Sequence, residues 1–183
     1  MKTNRWMLIA VMAAVILAGC AGNVEKERAK VTELRKELYD KNSVYTSHEI
    51  AEKAIEAFRA FGKKFPDDTA ALKFHTEAAE IAWTMGKHKL STEIFLEIMD
   101  MHPDAGTIPY IGVRLGSIFN DNLRDTAQAR KYFTLVLEKY PESDYTEGAR
   151  FGLETLGMDE RQQFEYMLRK ANTGSDTLVN AAQ

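Results

Sequence analysis

Three prolines recur at an almost constant spacing, and this periodicity constrains the fold more than any other feature of the chain. Pro66, Pro103 and Pro141 lie 37 and 38 residues apart. A small residue and an aromatic residue stand twelve and eight positions before each proline. These pairs are Ala54 with Phe58, Ser91 with Phe95, and Ala129 with Phe133. A period of this length is typical of proteins built from stacked supersecondary units.

Apolar spacing and helix-ending residues predict an all-α fold, since no segment shows the alternation of a strand. Thr46 and Glu49 form a predicted capping box that opens one helix. Gly86 and Gly157 are expected to end two others. An earlier helix carries its apolar stripe at Val24, Val31, Leu34 and Leu38. Later helices are predicted over about residues 88–101, 107–119, 126–140, 144–156 and 159–171.

Two predicted helices contain glycines at matching positions. Gly112 and Gly116 flank Arg114, and the same Gly, Arg, Gly spacing returns 36 residues later with Arg150 at its centre. A glycine inside a helix costs about 1 kcal/mol relative to alanine. We therefore expect these glycines to mark places where helices approach closely.

These positions together resemble the tetratricopeptide repeat family. The residues that carry the resemblance are Leu115, Gly116, Phe119, Ala129, Phe133 and Pro141. The resemblance implies a short right-handed α-solenoid over residues 27–171, with about three repeats and a terminal helix pair. Residues 172–183 are rich in small polar residues and are predicted to be a disordered tail.

The N-terminus has the pattern of a secretory leader. Lys2 and Arg5 precede twelve uncharged, mostly apolar residues, which are too few to span a bilayer. The next four residues, 17–20, resemble the lipobox of bacterial lipoproteins. This resemblance implies that residues 1–19 are a signal peptide, that Cys20 is lipidated, and that residues 20–26 are a tether. Ala21 in place of Asp implies the outer membrane, with the periplasmic face expected.

Lipidation and the segment from Lys139 to Ser143 resemble, more narrowly, the repeat lipoproteins of the outer-membrane assembly (BamD) and cell-division coordinator (YbgF) types. That resemblance implies a periplasmic scaffold that binds envelope proteins or peptides in envelope assembly. One alternative is a permanent structural subunit of a membrane complex. A minor alternative is an envelope hydrolase. The oligomeric state stays open.

The partner-binding groove implied by the repeat resemblance is lined by the first helix of each pair. Its candidate residues are Tyr110, Val113, Arg114, Ser117, Asn120, Thr146, Arg150 and Leu153. Arg114 and Arg150 recur at one position of successive repeats and are able to form a ladder for carboxylates. The interpretation that we favour is that each arginine pairs with a nearby acid such as Glu147 or Glu154.

Neither an active site nor a cofactor is predicted. The segment from His48 to Glu52 lacks the second histidine of a zinc peptidase motif. The other histidines, His75, His88 and His102, lie far apart and are expected at the surface or in loops. A single cysteine excludes a cysteine-based metal site. The chain has 24 basic and 27 acidic residues, a balance that is untypical of nucleic-acid binding.

Several aromatic residues are interpreted as core residues of the repeat because they recur at helical spacing. They are Trp83, Phe95, Phe119, Tyr132 and Phe133.

Overall fold

The computed structural model describes residues 23–40 and 47–180, with side chains through residue 172. The chain divides into two compact units, the first ending at Met101 and the second beginning at His102. Every regular element in these residues is helical. The predicted all-α fold of tetratricopeptide-like helix pairs is confirmed.

The described residues of the first unit form four helices. Helix α1 covers residues 23–40, and it is followed by α2 (His48–Lys64), α3 (Ala71–Thr84) and α4 (His88–Met101). Helix α3 packs against both α2 and α4. Phe74 of α3 meets Phe58 and Phe61 of α2, with ring centroids 5.0 and 5.5 Å apart. Arg28 of α1 forms an ion pair with Asp68, which lies just before α3. Arg35 of α1 forms an ion pair with Glu77, which lies within α3.

The second unit contains α5 (Ile108–Ser117), a π-helical turn (Ile118–Asn122), α6 (Thr126–Lys139), α7 (Thr146–Glu154) and α8 (Glu160–Asn180). Helix α6 packs against both α5 and α7. Its buried face consists of Ala129, Tyr132, Phe133 and Val136. The first helices of the last two pairs, α5 and α7, are therefore held together by one α6.

Two glycines lie at helix ends, as the sequence predicts. Gly86 has a φ of +73° and Gly157 a φ of +80°, a conformation that glycine adopts without the steric cost of a Cβ atom. After α3, the amide of Lys87 donates to the carbonyl of Ala82 at 2.9 Å. Both predicted helix ends are confirmed.

Three local predictions differ from the structure. The cap of α2 is Ser47, whose Oγ accepts from the amide of Ile50 at 3.4 Å; Thr46 lies outside the described residues. Helix α1 already includes residues 23–26, which the sequence assigns to the tether. Helix α8 continues to Asn180, into the predicted tail, because extending a formed helix is far easier than starting one.

The aromatic core is largely as predicted. Phe95, Tyr132 and Phe133 are buried, and Phe119 stacks on Tyr132 with centroids 5.6 Å apart. Trp83 differs, since 36% of its surface is exposed. Among the described residues, no helix is both long enough and apolar enough to cross a membrane. The leader and Cys20 lie outside them.

Candidate protein-binding surface

Phe133 of α6 fixes the distance between α5 and α7. Its ring lies against Gly116 on one helix and Gly152 on the other, and a Cβ atom on either glycine would come closer than 3.0 Å to ring atoms. Gly112 is equally crowded, by Val136, whereas a Cβ on Gly148 would have only an ordinary contact at 3.6 Å. Close approach therefore explains three of the four glycines. The two helices that carry the predicted groove are positioned by this contact.

Two candidate groove residues belong to the core between these helices. Val113 and Leu153 are partly buried and pack against the cluster of Ala129, Phe133, Val136 and Ala149. Both side chains are therefore largely used in holding α5 and α7 together.

Two polar candidates are used in backbone capping. Asn120 is 4% exposed, and its Oδ1 accepts from the amide of Gly157 at 2.9 Å. Its Nδ2 donates to Asp121. The hydroxyl of Thr146 donates to the carbonyls of Tyr140 and Pro141, both at 3.1 Å. These hydrogen bonds stabilise the turns, so Asn120 and Thr146 have little remaining hydrogen-bonding capacity for a ligand.

An aromatic pair lies at the start of the two helices. The rings of Tyr110 and Tyr145 meet edge to face with centroids 5.5 Å apart, and Tyr145 is 41% exposed. A cleft of about 520 Å³ adjoins Tyr145, lined by Gly106, Pro109 and residues 139–145. Sequence reasoning missed Tyr145 because the 36-residue register points from Tyr110 to Thr146. The aromatic character of position 145 was the available signal.

One arginine of the predicted ladder, Arg150, forms an ion pair with an acid of its own helix. Arg150 Nε lies 3.4 Å from Glu147 Oε1, and both side chains are mostly exposed. Lys170 and Tyr166 hydrogen-bond to Glu154, which lowers the pKa of that carboxyl group. Arg114 is partly buried on α5. The favoured interpretation, a surface ion pair, thus describes Arg150 in this structure.

Seen together, the eight candidates separate into two groups. Tyr110, Arg114, Ser117 and Arg150 lie on α5 and α7 with at least partly exposed surfaces. Val113, Asn120, Thr146 and Leu153 are engaged in packing or capping. Tyr145 joins the first group. The surface available to a partner is therefore aromatic at one end and basic farther along both helices.

The first unit contains the most strongly shifted carboxyl group. Arg59 donates to both oxygens of Glu97, at 2.7 and 2.9 Å, and Lys63 donates at 2.9 Å. Arg59 also contacts Glu93. These cations lower the pKa of Glu97 to about 2, although burial acts in the opposite direction. The cluster ties α2 to α4 across α3.

His75 of α3 lies inside this cluster, and its predicted surface location is wrong. It is fully buried, with Nε2 3.4 Å from Glu97 Oε2. Its imidazole fills the space above Gly62, where a Cβ atom would meet the ring at 2.7 Å. The histidine can be buried because Gly62 leaves space for its ring and Glu97 places a carboxylate beside it. Both residues are distant from His75 in sequence.

The segment from His48 to Glu52 shows no arrangement for catalysis. Lys53 donates to Glu49 at 2.7 Å, and this bond lowers the pKa of Glu49. A general base needs the opposite shift, toward neutral pH. Glu52 is likewise bonded to Lys87. Within the described ranges, no cluster of three or more metal-binding side chains occurs.

Residues 112–143 match the family model of the tetratricopeptide repeat. The match covers the second half of α5, all of α6 and the proline that follows it. No curated protein and no solved structure is significantly similar to the chain. This segment is thus similar to a tetratricopeptide repeat, and repeats of this family generally mediate binding to other proteins or peptides.

Proposed function

We propose that the protein is a lipid-anchored, non-enzymatic scaffold at the periplasmic face of the outer membrane, where its second unit binds segments of envelope proteins. The observation that carries this proposal is the repeat match over residues 112–143, which includes the second half of α5 and the whole of α6, the helix that packs against both α5 and α7.

The chemistry of that surface suits an extended segment with an apolar and an acidic residue. Tyr110 and Tyr145 offer two ring faces beside a cleft, and tyrosines make strong interface contacts at small cost in conformational entropy. Arg114 and Arg150 supply two cations one repeat apart. An acidic group of the partner would compete with Glu147 for Arg150, a pair that is exposed and therefore weak.

The proposed location depends on the leader and Cys20. Cleavage after Gly19 leaves 22 basic and 27 acidic residues, a net charge of −5. This charge disfavours binding to anionic headgroups. Acyl chains on Cys20 would contribute about 0.8 kcal/mol per buried methylene, and several chains hold a domain on a membrane durably.

Crosslinking of the full chain in intact Gram-negative cells tests the proposal. We expect envelope proteins to be captured from the membrane fraction by the wild-type chain and to be lost with Cys20→Ala, because the variant is not lipidated. Mass spectrometry of the Cys20 peptide checks the lipid itself. An unmodified cysteine in a membrane-free chain would contradict the location.

A second set of variants tests the surface. Tyr110→Ala with Tyr145→Ala should reduce capture of the identified partner at least tenfold, and Arg114→Ala with Arg150→Ala should reduce it less and in a salt-dependent way. Tyr39→Ala is the control, since Tyr39 is an exposed tyrosine in the first unit, at 49% against 41% for Tyr145. Unchanged capture by both double variants would show that the partner binds elsewhere.

A further inference from the structure

Of the four histidines in the chain, His75 alone is fully buried. It lies on α3 between α2 and α4. Its ring fills the space above Gly62 on one side, and Nε2 lies 3.4 Å from Glu97 Oε2 on the other. Burial favours the neutral form of a histidine, because an imidazolium loses its hydration in the interior. Whether His75 takes up a proton therefore depends on the groups that surround it.

The carboxylate beside the ring is already bonded to two cations of α2. Arg59 Nε donates at 2.9 Å to Glu97 Oε2, the same oxygen that lies 3.4 Å from the histidine. Lys63 donates to the other oxygen at 2.9 Å. Hydrogen bonds between charged nitrogen and oxygen groups are about 2.7 to 2.9 Å long, so the histidine distance is not that of a bonded imidazolium. A protonated His75 would have to compete with Arg59 for Glu97.

The charged side chains around His75 balance one another, so they offer no excess negative charge to an imidazolium. They are Arg59 and Lys63 on α2, Glu93 and Glu97 on α4, and, on the α1 side, the bonded pair of Arg35 and Glu77. Three of these groups are cations and three are anions, so the set is neutral. A proton on His75 would add an uncompensated positive charge to the interior of the first unit, which is costly.

Unfolding releases the histidine from these surroundings. In an unfolded chain a histidine titrates near its ordinary pKa of about 6.5, so below that pH the unfolded chain binds a proton that the folded unit excludes. Such a difference in proton binding lowers the stability of the folded state as the pH falls. We propose that His75 makes the first unit an acid-sensitive element, in which α2, α3 and α4 open more often once the pH falls below about 6.

Neither Glu97 nor the second unit accounts for a response in this pH range. The pKa of Glu97, about 2, keeps its carboxylate charged throughout, so its bonds to α2 persist while the histidine titrates. The second unit contains one histidine, His102, which is partly exposed at its first position. Exposure lets water hydrate the charged ring, so protonation of His102 opposes folding much less. The second unit is therefore an internal reference for the first.

Hydrogen exchange of the full chain in detergent, at about pH 7.5 and about pH 5, tests the proposal helix by helix. Rates are corrected for the intrinsic effect of pH on exchange. A proton bound only by the unfolded state lowers the folding constant about tenfold per pH unit below about 6.5. Protection of the α3 amides should therefore fall about thirtyfold between the two conditions, whereas that of the α6 amides should change less than about threefold.

Two histidine variants assign the response. His75→Gln removes the titrating ring but keeps a neutral donor near Glu97, so its α3 protection should change less than about threefold between the two conditions. His88→Gln is the matched control, because His88 is a partly exposed histidine of α4 in the same unit, and it should keep the loss seen in the wild type. An equal loss in the wild type and in His75→Gln would overturn the proposal, as would a wild type that shows no loss.

Magnetic resonance of the wild-type chain, labelled in its histidine rings, tests the same proposal without a change at the buried site. The His75 signal should keep its neutral position down to about pH 5, while exposed histidines titrate near about 6.5. Lys63→Gln removes one half-exposed cation of the cluster and should move the titration of His75 to higher pH. Lys53→Gln is the control, because Lys53 of the same helix is bonded to Glu49 instead. A wild-type His75 that titrates at pH 6.5 or above would overturn the proposal.

Discussion

Two glycines of α7 that lie four residues apart should respond to the same substitution with opposite sign. Gly152→Ala brings a methyl group closer than 3.0 Å to three atoms of the Phe133 ring. The ring has no room to retreat, because Gly116 is just as close on its other side. Gly148→Ala meets only Val113, at 3.6 Å. The glycines therefore share a helix but differ in the space above them.

The expected magnitudes follow from two opposing terms. Alanine gains about 1 kcal/mol of helix propensity over glycine. Overpacking a full core costs about 1 to 3 kcal/mol, and a ring held on both sides belongs at the upper end of that range. Gly152→Ala should thus destabilise the fold by about 2 kcal/mol. Gly148→Ala should stabilise it by about 0.5 kcal/mol, since propensity counts for less near a helix end.

Urea unfolding of the full chain, followed by circular dichroism, measures both values. The two substitutions lie in one helix of the second unit and report on the same transition, which makes their difference more reliable than either value. Phe133→Leu in the Gly152→Ala background should recover part of the loss, so the double variant should be more stable than additivity predicts. If Gly152→Ala is as stable as the wild type, the ring contact does not set the distance between α5 and α7.

Three further predictions concern single side chains. Because Arg59 lowers the pKa of Glu97 to about 2 from 4.5, the stabilisation is complete above pH 4.5 and is lost as the pH falls toward 2. Thermal unfolding should show a loss of about 2 to 3 kcal/mol over that window for the wild type but not for Glu97→Gln; parallel curves would argue against the ion pair. Asn120→Ala should cost about 0.5 to 1.5 kcal/mol in urea unfolding, since the amide of Gly157 loses its acceptor, and Asn120→Asp should cost more, since it places a buried carboxylate against Asp121. Ser47→Ala should cost about 0.5 to 1 kcal/mol through the lost cap; amide exchange in the first turn of α2 that stays as slow as in the wild type would contradict it.

The sequence predicts the helix pairs well because the signals that define them are local. A helix ends where Gly86 or Gly157 takes a positive φ, and both glycines are visible without knowledge of their surroundings. The close contact at Gly116 was also predictable. Glycine destabilises a helix, so glycines that recur at the same spacing in two helices indicate a packing requirement. The spacing did not predict that Phe133 is the residue in contact with this glycine.

The sequence pattern did not predict burial that depends on residues far apart in the chain. His75 was expected at the surface or in a loop because no ligand spacing links it to the other histidines, yet Gly62 leaves room for its ring and Glu97 places a carboxylate beside it. These two residues lie on different helices, one before and one after α3. Only the packing of three helices brings them together, so a pattern read along one helix does not contain the information.

The candidate surface shows the same limit in another form. A repeat register predicts which positions face a groove, but it does not predict which side chains are needed for the turns nearby. Asn120 and Thr146 hydrogen-bond to backbone groups at helix ends, where unpaired donors and acceptors would otherwise be costly. Tyr145 lies one residue outside the register and was missed, although its ring contacts Tyr110.

At one equivalent position the two units make different contacts between helices, and this difference limits what one repeat pattern can predict. In the first unit, seven residues before its proline, Arg59 reaches Glu97 on the next pair; the equivalent position of α6 is Thr134, which has no charge. In the second unit, an aromatic ring between two glycines takes over that role. Ion pairs tolerate small shifts of a helix but depend on pH, whereas the ring contact is independent of pH and tolerates no added methyl group. The repeat spacing therefore fixes which helices meet, while the residues outside the repeat pattern decide how each contact responds to acid or to mutation.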